Sequence, residues 1–166
     1  ARRETEGASV ESARSLYDQP RNIIWDHYRP YLFGARSGLL CIISHDALGQ
    51  KAHDALIGAA RALGYGITGT TFITLHPETS EEAGPHDILT LVESLDPLCV
   101  VITDTPATHC VAQAYHAKIT LDAPGFLAGR PLCCFKDFPS LLNGETSKHF
   151  AWGLLKTLPP AHLGES

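Results

Sequence analysis

No stretch of eighteen apolar residues occurs in this chain, so nothing in it reads as a membrane-crossing helix. The opening ARRETEGASVESARS has no apolar segment of the secretory type. It is polar and expected to fray, and the expected location is cytoplasmic. Basic charge is short: 13 Lys and Arg face 18 Asp and Glu, for a net charge of -5. That argues against a strongly electrostatic nucleic-acid binder, because neutralised phosphates supply most non-specific affinity. Arg29, Arg36, Lys51, Arg61, Arg130, Lys136 and Lys148 are scattered along the sequence. Cysteine is present without a scaffold pattern. Cys41, Cys99, Cys110, Cys133 and Cys134 are odd in number and never spaced C-x-x-C, which argues against a disulfide framework and a zinc ribbon. Cys41 and Cys99 lie in apolar runs and read as core thiols.

Further absences narrow the chemistry. No G-x-x-x-x-G-K loop occurs, and no G-x-S-x-G elbow surrounds Ser140. The glycine-rich Gly64–Gly69 comes after a helical pattern rather than a strand and reads as a turn. A metal would need His45, His53, His76, His86 and Asp46 to converge, but no H-x-H or H-x-x-x-H pair places two histidines on one helical face. No metal site and no cofactor are therefore expected.

What is present is the material of one soluble domain. In 166 residues, 44% are apolar and 19% charged, enough to bury a core. Residues 1–36 read as a polar, partly helical arm, with Leu16, Ile23, Ile24, Trp25 and Tyr28 as apolar anchors and Pro20 and Pro30 as punctuation. Residues 37–160 read as an α/β core. LLCIIS (Leu39–Ser44), TTFITL (Thr70–Leu75) and LCVVIT (Leu98–Thr103) are continuous apolar runs, the mark of strands buried on both faces. Ile119–Leu121 and Pro131–Phe135 are further strand candidates. Helical spacing predicts helices over Lys51–Leu63, Asp87–Leu95, Pro106–His116 and Ser147–Leu158. Strands alternating with helices predict a three-layer α/β/α domain with a mainly parallel central sheet.

Sites in such sheets lie beyond the carboxyl ends of the strands. The loops Ser44–Gly49, Leu75–Pro85 and Lys136–Asn143 are therefore the candidate site. Its candidate binding residues are Ser44, His45, Ala47, Gly49, Leu75, His76, Phe138, Pro139 and Ser140. Asp46 is the one candidate catalytic group: a carboxylate beyond a strand end can activate water. The competing reading makes it an N-cap of the next helix. Phe126, Phe135, Phe138 and Trp152 are aromatics of the kind that stack bases, although the spacing of Trp152 with Leu155 reads as core. An exposed Phe138 would make a binding platform, and a buried one a filled pocket.

The segment from Gly129, GRPLCCFKDFPSLLNGETSKHFAWGLLKTL, runs strand, Pro-containing turn, Leu141-Leu142, Lys148, Ala151-Trp152 and leucine-rich helix. That order resembles the end of the uracil-DNA glycosylase superfamily, especially its short, thermostable branch. The resemblance extends, more weakly, back to Leu39. The family's strand ends in His-Pro; here Phe138 precedes Pro139. The family's first motif, of the Gly-Glu-Ala-Pro-Gly kind, corresponds to His45-Asp46-Ala47-Leu48-Gly49, keeping a carboxylate at Asp46. The base-reading Asn is replaced by Leu75 after Thr74. Asp96-Pro97-Leu98-Cys99-Val100-Val101-Ile102 resembles the family's strand of four apolar residues after Pro. Beyond that strand the family has Leu-Gly-x-x-Ala, and Ala107 matches its alanine. The family's iron–sulfur members need cysteines near the N-terminus, and none precedes Cys41, so no cluster is expected. The C-terminal turn and Ala-Trp helix are also similar to the psi subunit of the bacterial DNA polymerase III clamp loader, a glycosylase-like fold that binds protein. These resemblances imply a degenerate glycosylase fold that has lost its catalytic His and Asn. The implied partner is single-stranded or damaged DNA, or a protein. Two alternatives stay open: a slow or altered glycosylase using Asp46, and a flavodoxin-like small-molecule binder.

Overall fold

The computed structural model describes residues 21–36 and 38–161. Four strands form the middle of a six-stranded sheet: β2 (Leu40–Ser44), β3 (Thr70–Thr74), β4 (Cys99–Ile102) and β6 (Arg130–Cys134). They pair in parallel in the order β3-β2-β4-β6. Two antiparallel strands close the edges, β1 (Leu32–Gly34) against β3 and β5 (Ala123–Leu127) against β6. Every residue of β2 and β4 is buried, as expected of strands covered on both faces.

The side-chain alternation of the strands splits the core into two layers. Cys41, Ile43, Ile73, Val100, Ile102 and Cys134 face one side, with Ile24, Leu91, Leu95 and Val111 from the helices α1 (Arg21–His27), α3 (Pro85–Leu95) and α4 (Thr105–Tyr115). Leu40, Ile42, Phe72, Val101, Cys133 and Phe135 face the other, with Leu56, Phe138 and Leu154 from α2 (Gln50–Ala62), α5 (Phe138–Leu141) and α6 (Glu145–Leu155). The chain is therefore a three-layer α/β/α domain with a mostly parallel sheet. The adjacent thiols Cys133 and Cys134 belong to opposite layers, as period-two geometry requires. Among the described residues no helix is long and apolar enough to cross a membrane.

Several boundaries differ from the sequence reading. The part of the arm that is described, residues 21–36, joins the core: Ile24 is fully buried, Tyr28 donates to Asp87 Oδ1 at 2.9 Å, and β1 extends the sheet. The anchor Leu16 and the breaker Pro20 lie outside the described residues. Ile119–Leu121 is not a strand; the strand starts at Ala123. It is joined to β6 by the two-residue turn Ala128-Gly129, both with positive φ (51° and 85°). That is the mirror-image turn that matches strand twist in a tight hairpin.

The base of the sheet is tied by one cation. Arg130, at the start of β6, donates from Nη1 to Glu93 Oε2 at 2.9 Å, from Nη2 to Asp96 Oδ1 at 2.8 Å and from Nε to the Pro97 carbonyl at 3.1 Å. Burial alone would raise the Glu93 carboxyl, but the hydrogen bonds from Arg130 and Tyr115 outweigh it and hold the pKa below its ordinary value.

Candidate functional site

The parallel strands leave β2 in opposite directions, to β3 on one side and β4 on the other. The β2/β4 boundary is a topological switch point, and the loops beyond it diverge to leave a crevice. Asp104, immediately beyond β4, builds the floor of that crevice. Its Oδ1 accepts from the Ala107 amide at 2.9 Å, capping α4. Its Oδ2 accepts from the His45 amide at 3.2 Å and from the Thr103 hydroxyl at 2.8 Å. One carboxylate thus holds the loop after β2, the end of β4 and the start of α4.

The third wall is zipped to the same place. Phe138 N donates to the Thr103 carbonyl at 2.8 Å, and Thr105 N to the Lys136 carbonyl at 3.0 Å. The resulting crevice, about 220 Å³, is lined by His45–Gly49, Asp104, Pro106, Asp137 and Pro139. Three of these residues are carboxylates and none is Lys or Arg.

The candidate residues distribute unevenly around it. His45, Asp46, Ala47, Gly49 and Pro139 line the crevice. Ser44 is buried and, with Ala47, borders a neighbouring hollow beside Phe33, His53 and Phe72. Leu75 is fully buried in the core, away from any ligand. Ser140 is exposed and donates to the Asp137 carbonyl at 2.9 Å. Phe138 is only 2% exposed and packs edge-on against Phe135, their ring centres 5.1 Å apart. It is a filled pocket, not a stacking platform. Phe135 is also buried, and Phe126 lies on the edge strand β5. Trp152 is half-buried rather than core: it lies at the rim of an apolar groove between α2 and α6, with Lys156 over its ring at 5.8 Å.

Asp46 does not cap the next helix. The N-cap of α2 is Gly49, and no side chain bonds to it. Asp46 is exposed and instead meets His45 Nδ1 at 3.2 Å. On the other side of the same ring, Nε2 meets Glu82 Oε2. Glu82 Oε2 also accepts from the Cys110 thiol at 3.8 Å, and the His76 ring stands edge-on to His45 at 5.6 Å. Two of the histidines that a metal would need to converge do so: His45 and His76 come together with Asp46, Glu82 and Cys110. His53 packs instead against Phe72 and Phe33.

The electrostatics of the cluster come from its carboxylates. Burial lowers the His45 pKa, but the Glu82 hydrogen bond and the charges of Asp46 and Glu82 outweigh it, and the net shift is upward. The hydrogen bond to His45 pulls Glu82 down. Burial, then the Glu82 charge, push the Cys110 thiol up.

Sequence reasoning missed Asp104, Glu82 and Cys110. Asp104 had a signal: Asp two residues before Pro106 is an N-cap with proline in the first helical turn. Glu82 and Cys110 had none, because loop and helix meet only in the folded chain. Compared with known proteins, the chain matches no family model, and no curated protein matches it at a significant level.

Proposed function

We infer that this chain is a uracil-DNA-glycosylase-like module that excises no base and binds a protein partner. The observation that carries the reading is the switch-point crevice: Asp46, Asp104 and Asp137 line it, and no Lys or Arg does. A DNA backbone brought to this mouth meets like charge where a nucleic-acid site supplies Lys and Arg. The position of the family's His-Pro histidine is taken by Phe138, a buried hydrocarbon that can neither donate to a carbonyl nor hold a proton.

Support for a protein partner comes from the groove between α2 and α6. Ala55, Gly58, Ala59 and Ala62 leave it open on one side, and Trp152 and Leu155 form the other, about 320 Å³ in all. Apolar side chains of a partner can bury there. The small-molecule reading is weaker, since the crevice of about 220 Å³ is below the size of ordinary ligand pockets. The Asp46 glycosylase reading lacks a base-reading group, as that position is the buried Leu75.

The test is fluorescence anisotropy with labelled single-stranded and uracil-containing DNA at two salt concentrations. Product formation is read from the same samples. No salt-sensitive binding and no product are expected. Tight binding that weakens steeply with salt would replace the protein partner by nucleic acid.

A further inference from the structure

We propose that His45, Glu82 and Cys110 form a binding site for a single zinc-class divalent ion, with Asp46 as the carboxylate behind the histidine. The three residues come from different elements: the loop after β2, the loop before α3, and the middle of α4. Their ligand atoms nonetheless all lie within 4.8 Å of one another. Glu82 Oε2 and Cys110 Sγ are 3.8 Å apart. Tetrahedral zinc, with bonds of about 2.0–2.3 Å, sets its ligand atoms roughly 3.3–3.8 Å apart, so small side-chain movements close the site.

The donor set selects the ion. One imidazole nitrogen, one carboxylate oxygen and one thiolate suit a borderline-soft metal and disfavour magnesium or calcium, which want oxygen alone. The charges balance: a thiolate and a carboxylate neutralise the ion, and on binding the Cys110 thiol proton and the proton that His45 Nε2 shares with Glu82 leave to solvent. Neutral His45 has the right second partner. Its Nδ1–H can donate to Asp46 at 3.2 Å, which leaves the Nε2 lone pair on the side of Glu82. This is the carboxylate–histidine–metal arrangement that orients ligands in zinc proteins. Three protein ligands leave the fourth position to water, with the His76 ring adjacent. Bound here, the ion ties three elements together at the rim of the switch-point crevice. The site stands independently of the partner reading above.

The experiment uses cobalt(II) chloride as a spectroscopic probe on the metal-free full chain, with zinc chloride then added to displace it. One equivalent of cobalt is expected to bind, with a thiolate-to-cobalt charge-transfer band in the near ultraviolet that zinc abolishes. Cys110→Ser should lose the band. Glu82→Gln, at an exposed position, should weaken uptake by at least about 10-fold, and Asp46→Asn by about 10–100-fold, as outer-shell carboxylates do. His86→Ala, on the exposed start of α3, should change nothing. Circular dichroism of each variant checks the fold. No stoichiometric uptake, a band that survives Cys110→Ser, or equal loss in His86→Ala would overturn the proposal.

Discussion

Replacing Asp104 with alanine should loosen the crevice from its floor. Three contacts go at once: the cap on the Ala107 amide at 2.9 Å, the bond from the His45 amide at 3.2 Å, and the bond from the Thr103 hydroxyl at 2.8 Å. Loss of an N-cap costs about 1 kcal/mol. Each hydrogen bond to a charged acceptor contributes about 1.5–3 kcal/mol when intact. The second and third cost less than that when lost. The His45 amide lies near solvent and can be rehydrated, and the Thr103 hydroxyl keeps a longer contact, 3.4 Å, to the Ile43 carbonyl. The expected loss is therefore about 2–3 kcal/mol, or roughly 5–10 °C in Tm for a chain of this size. Asp104→Asn keeps one acceptor oxygen for the cap but loses the charge and the second acceptor, so it should lose about half as much. Urea unfolding monitored by circular dichroism measures both. Amide exchange should quicken at His45 and Ala107 in the alanine variant before it does in the strands. An alanine variant within about 0.5 kcal/mol of wild type would refute the claim that this carboxylate holds the loops together, since even the cap alone is worth more.

Phe138→Ala should cost about 3–5 kcal/mol in urea unfolding, because it empties a site that is 2% exposed. Phe138→His, which puts a histidine before Pro139, should lower stability by a similar amount and still release no uracil; excision by this variant would show that the pocket is open rather than filled. For Glu93, the ordinary pKa of 4.5 is lowered in the folded state, so its contribution is present above about pH 4.5 and fades as pH falls through the folded pKa. The stability difference between wild type and Glu93→Gln should therefore shrink below pH 4.5, as measured by urea unfolding across a pH series. A difference that stays constant from pH 7 to pH 3 would show that Arg130 does not hold Glu93 ionised.

The parts of the fold legible in the sequence were those set by local physics. LCIIS and CVVI are unbroken apolar runs, and only a strand covered on both faces buries such a run at that length. The helix over Gln50–Ala62 is dictated by Ala52, Leu56 and Ala60 recurring along one face. The edges were hidden. β1 is three residues long with Phe33 exposed, and β5 carries Pro124 and Gly125, so neither shows the expected pattern. The hairpin between β5 and β6 turns through Ala128, which lacks the usual Asn or Asp signal for positive φ.

The site divides in the same way. Loops at the strand ends were identifiable because the parallel sheet dictates where they emerge. Which of their side chains point at one another was not. Leu75 reads as the end of a strand in a site loop, yet its amide bonds the Ser44 carbonyl at 2.9 Å and its side chain goes into the core. His45, Glu82 and Cys110 are separated by 37 and 28 residues, and only the packing of α4 beside the loop before α3 unites them. Asp46 read as a helix cap because Asp is favoured there. The helix instead starts after Gly49, and no side chain caps it.

Whether the chain excises a base is measured by a single-turnover assay with protein in large excess over a uracil-containing single strand. Abasic product is counted after alkaline cleavage. No product above the protein-free control is expected, in wild type and in Asp46→Ala alike. Product from wild type that disappears in Asp46→Ala would contradict the claim and make Asp46 the catalytic carboxylate of a working glycosylase.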